Sequence, residues 1–437
     1  MTLFASTRDP SRMLGFSAAI EQGLASDGGL FVPLVLPALG AADFAGAETL
    51  PAIAERLLRP LVGDVDPLSG ALPALCAEVF AWPAPLVALA ADGRLRVLEL
   101  FHGPTAAFKD FGARFLAASF ARLRAPTAPP LTILVATSGD TGGAVAAAFF
   151  ERPGIDVAVL FPRGLVSPTQ ERQLTCWGGN VRSLAVRGTF DDCQRLVKAA
   201  FLDPELKARS ALSSANSINL GRLVPQMAYF AAASLAVWRT HGERASFVVP
   251  SGNLGNVMGC LWARAMGLPI AEVILAHNAN RTVPEYLESG VWRPRASIAT
   301  LASAMDVGDP SNAERLRALY PRFEGLRAAV RAMSIGDEEI RVSIRRGFQS
   351  LGQIWCPHTA AAAAAYEQLP REQRRAGRWV IVATAHPAKF PEIVAPLIGR
   401  PVPVPETLAQ LFARPTQCVE IAPELGALRA TLQGNPT

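Results

Sequence analysis

The amino-acid sequence predicts an α/β protein with mostly parallel sheets, a smaller unit being inserted into a larger one. Three observations support this fold class. The 437 residues suffice for two or three domains of ordinary size. From about residue 95 onward, β-branched apolar runs alternate with Ala-rich stretches of helical character, as strand–helix–strand units do. The string Ser-Gly-Asp/Asn-x-Gly also occurs twice, each time after a β run and at the opening of an apparent helix.

Residues 1–95 carry Pro breaks, PLVLP at 33–37 and WPAP at 82–85, between short helical patterns, and read as an N-terminal module. Strands are expected at 133–137 (ILVAT), 157–161 (VAVLF), 247–250 (FVVP), 272–276 (EVILA) and 379–384 (WVIVAT). The Pro-rich APTAPP at 125–130 marks a crossing between two layers. A large domain is therefore expected at 96–129 and 226–437, and a smaller one at 130–225.

Composition narrows the function. Half of the residues are hydrophobic and 18% are charged, which excludes a disordered or fibrous chain. The formal charge of +5 is a mild bias towards small anions and too weak to argue for nucleic acid. Basic runs at 341–347 and 371–378 lack interleaved aromatics and read as solvated helix faces. The six cysteines are scattered among apolar neighbours, as reduced core thiols of a cytoplasmic protein are. No apolar run reaches the roughly 18 residues of a membrane span, so no membrane partner is expected. No Gly-x-Ser-x-Gly elbow, His-Glu-x-x-His or Gly-Lys pair is present, and no two of the five histidines stand at ligand spacing, so no metal site is expected.

The repeated turns are Ser138-Gly139-Asp140-Thr141-Gly142 and Ser251-Gly252-Asn253-Leu254-Gly255. Each is either a plain strand-to-helix connection or an anion cradle, because a helix N-terminus offers unpaired N–H groups and glycine lets an anion approach them. Lysine usage adds a second clue: of 42 basic residues only Lys109, Lys198, Lys207 and Lys389 are lysines. An amine can lose its proton where a guanidinium cannot. Lys198 and Lys207 lie in an amphipathic stretch whose exposed face explains them. Lys109 sits between Phe108 and Phe111, after the Gly103-Pro104 turn, at an expected helix start. Desolvation and the positive helix end should both lower its pKa, and such an amine can form a Schiff base.

Seven segments together resemble the threonine synthase family: 15–33, 99–115 (ELFHGPTAAFKDFGARF), 136–145 (ATSGDTGGAV), 216–226 (NSINLGRLVPQ), 249–259 (VPSGNLGNVMG), 301–312 (LASAMDVGDPSN) and 383–390 (ATAHPAKF). The HGPT-x-AFKDFG string is highly specific to that family. The resemblance implies a fold-type II pyridoxal phosphate (PLP) enzyme, tryptophan synthase β-like, with two open, mostly parallel sheets flanked by helices. It implies conversion of O-phospho-L-homoserine and water to L-threonine and phosphate by γ-elimination and β-addition, in a monomer or homodimer.

Carried onto these residues, the resemblance makes Lys109 the lysine that holds PLP, flanked by Phe108 and Asp110. It gives the cofactor phosphate to Gly252, Asn253, Leu254, Gly255 and Asn256. Asp140 is expected near the ring hydroxyl and Thr384 near the pyridine nitrogen. Ser138, Gly139, Thr141 and Gly142 are expected to clasp the substrate carboxylate. Asn219 and Arg222 match the segment associated with the substrate phosphate, the alternative being a helix cap and a surface ion pair. Two positions depart from the family pattern: Ala106 replaces a larger aliphatic residue, and Cys356 stands where an acidic residue is expected, beside an unassigned His358. Other readings are a threonine or serine dehydratase-like PLP lyase, and a noncatalytic phosphometabolite sensor, which leaves the lysine motif unexplained.

Overall fold

The computed structural model describes residues 2–89, 92–125, 127–209 and 211–434, so Pro126 of the expected crossing lies outside them. The strands, in chain order, are β1 (Phe4–Ser6), β2 (Met13–Leu14), β3 (Phe31–Pro33), β4 (Leu86–Ala88), β5 (Leu95–Glu99), β6 (Leu131–Ala136), β7 (Ile155–Pro162), β8 (Val181–Val186), β9 (Ala211–Ser214), β10 (Ala245–Pro250), β11 (Ile270–His277), β12 (Arg331–Ser334), β13 (Arg378–Ala383) and β14 (Val419–Ile421). They form three sheets. A small antiparallel N-terminal sheet has the order β2-β1-β3, the larger central sheet runs β12-β11-β10-β13-β5-β4, and the smaller one runs β14-β8-β7-β6-β9. Every pair in the latter two is parallel except β4–β5.

The five strands expected from apolar runs correspond to β6, β7, β10, β11 and β13, except that Thr137 and Thr384 fall one residue past the ends of β6 and β13. Two domain limits are corrected. Residues 86–88, expected in the N-terminal module, pair with β5 at the edge of the larger sheet. The C-terminal segment, expected with the large domain, returns instead to the smaller sheet, where β14 pairs with β8. Burial explains the return, because Ile421 and Leu428 complete an apolar cluster with Leu184, Val186, Leu196 and Val197.

Strand periodicity lets the smaller sheet serve two cores. Ile133 and Val135 of β6, with Val157, Val159 and Phe161 of β7, belong to the main core. The alternate residues Leu134, Ala136, Ala158 and Leu160 belong to the second cluster, formed with the helices Phe190–Leu202 and Leu425–Gln433. Successive side chains of a strand point to opposite faces, so such a run is apolar throughout. Of the six cysteines, five are buried and all are free thiols. No helix of the described residues is long and apolar enough to cross a membrane.

In open parallel sheets, ligands sit beyond the carboxyl ends of the strands. β6 ends at Ala136, just before the turn that opens the helix Asp140–Phe149, and β10 ends at Pro250, just before the turn that opens the helix Gly255–Ala265. β5 feeds the segment that leads to the helix Lys109–Leu123, and β13 is followed directly by Thr384. Four strand ends thus deliver Lys109, the two glycine turns and Thr384 to one cleft.

The N-terminal module is anchored to that cleft by Arg315, which is fully buried. Its guanidinium donates to the carbonyls of Phe31 (3.0 Å), Ser217 (3.0 Å) and Ile218 (2.7 Å) and to Asn312 Oδ1 (2.6 Å). Arg315→Met should leave these acceptors unpaired and lower the unfolding free energy by about 2–4 kcal/mol, measured by denaturant titration. A loss within error of zero would show that water replaces the guanidinium.

Candidate active site

Lys109 is the first residue of the helix Lys109–Leu123, and its amine lies 5.8 Å from the centroid of the Phe108 ring. Two backbone bonds hold this start in place: Phe108 N–H donates to the Thr384 carbonyl (2.9 Å) and His386 N–H to that of Ala106 (3.0 Å). Ala106 adopts a left-handed conformation, φ 54°, where a larger aliphatic side chain would be strained. Asp110 points away from solvent and accepts from the amide (2.8 Å) and the hydroxyl of Thr105. Gly103 is needed beside it, since a Cβ there would lie 2.6 Å from Asp110 Oδ2. Gly112 lets the same helix close directly on the carbonyl of Arg222.

These elements enclose a cavity of about 390 Å³. Its wall includes Phe108, Lys109, Ser138, Asp140, Thr141, Arg222, Gly252, Asn253, Leu254, Gly255, Asn256 and Thr384, so twelve of the predicted site residues converge there. Three do not. Asn219 is fully buried and acts as a helix cap: its side chain accepts from Gly221 N–H (2.9 Å) and donates to the carbonyls of Ile20 (3.0 Å) and Ser214 (3.4 Å). Gly139 and Gly142 lie behind the wall, where they allow the turn to form. A Cβ on Gly139, at φ 140°, would strike Gln170 at 2.5 Å, and one on Gly142 would strike Thr137.

The cradle at 251–256 is built for close approach. Gly252 passes so near to the loop above it that a Cβ would lie 2.7 Å from the Met305 backbone. Leu254 takes a left-handed conformation, φ 63°, which turns the chain into the helix at Gly255. Asn253 ties the turn down by donating to Ser217 Oγ (2.8 Å) and accepting from Ser311 N–H (2.6 Å). Asn256 accepts from the Tyr229 hydroxyl (2.6 Å), while its buried Nδ2 has no partner. The other cradle is held by Thr137, whose hydroxyl accepts from Gly139 N–H (3.0 Å) and Gly142 N–H (2.9 Å).

The electrostatics centre on Asp140 and Lys389. Lys389 is fully buried and its amine contacts Asp140 Oδ1 and the Thr105 carbonyl, both at 2.9 Å. Burial alone would raise the Asp140 carboxyl, but Lys389, Lys109 and His358 outweigh it and hold the group below the usual carboxylate range. Desolvation, aided by Lys389 and Arg222, pushes the Lys109 amine down to about 8. Arg222 is also buried, with one guanidinium nitrogen donating to the Ala215 carbonyl and Nε left without a partner.

Sequence reasoning left Lys389, Thr137 and Gln170 without roles, and His358 unassigned. His358 lines the cavity, accepts from Ala304 N–H (3.0 Å) and is pushed down to about 4 by burial. Lys198, read as a solvated helix residue, stands at the cavity mouth with Arg295. Only the fold could reveal these positions, since the residues come from separate segments with no fixed spacing.

PLP fits the donor set. A phosphate suits the N-terminus of the helix Gly255–Ala265 and the unpartnered Asn256 Nδ2, and an aldehyde suits the half-buried amine of Lys109. Among the described residues no cluster could hold a metal ion.

His358 yields a pH dependence. Its folded pKa of about 4 lies below the ordinary 6.5, so the unfolded chain binds the proton first as pH falls. Unfolding therefore takes up a proton between those values, and stability drops as pH decreases through that window. His277 and His386 act in the same direction. His358→Gln should make the loss of unfolding free energy between pH 6.5 and 4 shallower; an unchanged slope would show that His358 is already charged in the folded protein.

Family models match the chain in three parts: threonine synthase N terminus at residues 3–76, pyridoxal-phosphate dependent enzyme at 80–385, and threonine synthase, C-terminal, at 359–432. The chain is 40% identical to the threonine synthase of Serratia marcescens over 432 residues, 98% of each chain. It resembles the crystal structure of threonine synthase from Escherichia coli with a TM-score of 0.90 at 37% identity, covering 99% of both chains. The PLP-bound threonine synthase from Brucella melitensis is similar at a TM-score of 0.89 and 34% identity, with the same coverage. With family models matching from residue 3 to residue 432 and a relative 40% identical over nearly the whole of both chains, the chain belongs to the threonine synthase family of fold-type II pyridoxal-phosphate-dependent enzymes.

Proposed function

We propose that this chain converts O-phospho-L-homoserine and water to L-threonine and phosphate, and that it does so in the cytoplasm, where free buried thiols persist. One observation carries the reading: the Lys109 amine shares an enclosed cavity with two separate anion-binding features, the 252–256 cradle and the Arg222 guanidinium. A cofactor phosphate and a substrate phosphate need two such places. A dehydratase would use only the first, leaving a buried arginine with an unpartnered Nε unexplained.

PLP, when bound, supplies an electron sink for the carbanions of elimination and addition. Lys109 and Phe108, the 252–256 backbone, Asp140 and Thr384 would hold it. The Lys109 amine would hold the aldehyde at rest and, when not engaged there, would stand free to act as a base at the α carbon of the substrate. A pKa pushed down to about 8 suits that work, because both the neutral and charged forms are accessible close to neutrality. The same amine returns protons as the reaction proceeds, removing and delivering them on one side of the substrate.

Ser138, Thr141 and the N–H groups at the start of the helix Asp140–Phe149 receive the substrate carboxylate, which the positive end of the helix favours. Arg222 binds the phosphate ester and retains the phosphate that leaves. The loop that passes over the cradle at Ala304–Asp306 closes the cavity from above and limits access of bulk water to the reacting carbons.

Two variants test these roles. Borohydride reduction of the PLP-loaded protein should fix the cofactor on the peptide containing Lys109, and Lys109→Ala should abolish the adduct; an adduct on Lys389 would overturn the assignment. Arg222→Ala should raise KM for O-phospho-L-homoserine roughly tenfold or more while PLP absorbance is retained, a loss of at least about 1.4 kcal/mol of binding. An unchanged KM would remove Arg222 from the phosphate site.

A further inference from the structure

Lys389 stands behind the cavity wall rather than in it, and a buried ammonium is costly unless something requires it. Its setting suggests what that is. The amine bridges two segments, the Asp140 carboxylate at the start of one helix and the Thr105 carbonyl in the turn that precedes Lys109, each at 2.9 Å. Thr105 in turn holds Asp110, the neighbour of Lys109. Asp140 Oδ1 also accepts from Gln170 Nε2 (3.2 Å), so two donors besides Lys109 already hold the carboxylate. Among the described residues Lys109 forms no salt bridge, although it lies close enough to Asp140 to interact with it electrostatically.

We propose that Lys389 is a positioning residue of this active site: it is the standing counter-ion of Asp140, and by occupying that carboxylate it leaves the Lys109 amine free to give up its proton. The inference rests on Lys109 being the reactive lysine.

The charge balance explains the need. The ionisable groups facing Lys109 are Asp140, Lys389, Arg222 and His358 from four other segments, with Asp110 on its own helix. His358 is neutral near pH 7, and Asp110 is held by Thr105. If Lys389 were absent, Asp140 would be a buried carboxylate whose nearest remaining cation is Lys109. That pairing would hold Lys109 in its ammonium form, which can neither add to an aldehyde nor accept a proton. With Lys389 in place, Asp140 stays ionised whether Lys109 is charged or not, so the reactive amine can change protonation state without leaving an isolated buried charge.

The choice of lysine is also explained. In a chain with only four lysines among 42 basic residues, arginine is the default cation. Lys389 is fully buried, and a compact ammonium satisfies one carboxylate and one carbonyl, whereas a planar guanidinium would bring five donors to the same two acceptors. Neither Lys198 nor Lys207 meets such a constraint, since both are exposed.

The test is competitive acetylation of the full-length protein, freed of PLP, with trace acetic anhydride, which attacks only unprotonated amines. Mass spectrometry of the peptides containing Lys109, Lys198 and Lys207 gives a pH midpoint for each, the last two serving as controls. In Lys389→Met the Lys109 midpoint should rise by about one pH unit or more, the order expected when an amine gains an unshared carboxylate nearby. In Asp140→Asn/Lys389→Met it should return to the wild-type value or below. A merely structural role for Lys389 predicts no such reversal. An unchanged midpoint in folded Lys389→Met overturns the proposal. If that variant does not fold, the double variant, which buries no unpaired charge, decides: a raised Lys109 midpoint there overturns it equally. Borohydride trapping of PLP on the wild-type protein is run alongside, and an adduct away from Lys109 refutes the choice of reactive lysine instead.

Discussion

The candidate site depends on a single electrostatic constraint: the buried carboxylate of Asp140, beside the cavity that Lys109 lines, is held by the Lys389 amine 2.9 Å away. Desolvation lowers the Lys109 amine, Asp140 raises it, and Lys389 offsets part of the carboxylate's effect. The parts that fix Asp140 and Lys389 in place are then as necessary as Lys109 itself. The Thr137 hydroxyl shapes the turn before Asp140, Gln170 supports the carboxylate, and the 384–386 segment carries Lys389 towards the same turn that delivers Lys109.

The two sheets meet this constraint by presenting strand ends to one cleft from opposite sides. Each contributes an anion cradle, and the two are built differently. At 138–142 the hydroxyl of Thr137 organises the turn and Gly139 supplies the unusual backbone angle. At 251–256 a leucine takes the left-handed position, and the side chain of Asn253 ties the turn to Ser217 and Ser311. The second cradle is thereby joined through Ser217 and Asn312 to Arg315 and the N-terminal module. The 138–142 turn is held more locally, by Thr137 and Gln170.

How much of this was legible in the sequence follows from which interactions are local. Apolar runs marked β6, β7, β10, β11 and β13 because buried parallel strands are apolar on both faces. The strands β8, β9, β12 and β14 were not marked: they are short or carry polar residues, as in VRSLAV and RAMS, and gain their pairing from neighbours far away in the chain. The Lys109 motif and the glycine turns are contiguous strings and could be read directly. Asn219 shares with Arg222 the family segment associated with the substrate phosphate, yet a matching string says nothing about direction, and its side chain turns into the backbone as the helix cap that was the alternative. Lys389 escaped notice for the converse reason. Its string was recognised, but a role as counter-ion to a residue some 250 positions earlier exists only in three dimensions.

The departure at Cys356 fits the same charge logic. Its thiol caps the helix Pro357–Glu367 by accepting from Thr359 N–H (3.4 Å), which is the work an acidic residue would do at that position. Burial raises the thiol pKa, so the cap is neutral, and the nearby Asp140 carboxylate adds to that preference. A carboxylate in its place would bring a third negative charge to the region that already contains Asp110 and Asp140, facing Lys109, Lys389 and Arg222. Cysteine therefore preserves the helix start without adding a charge beside Asp140.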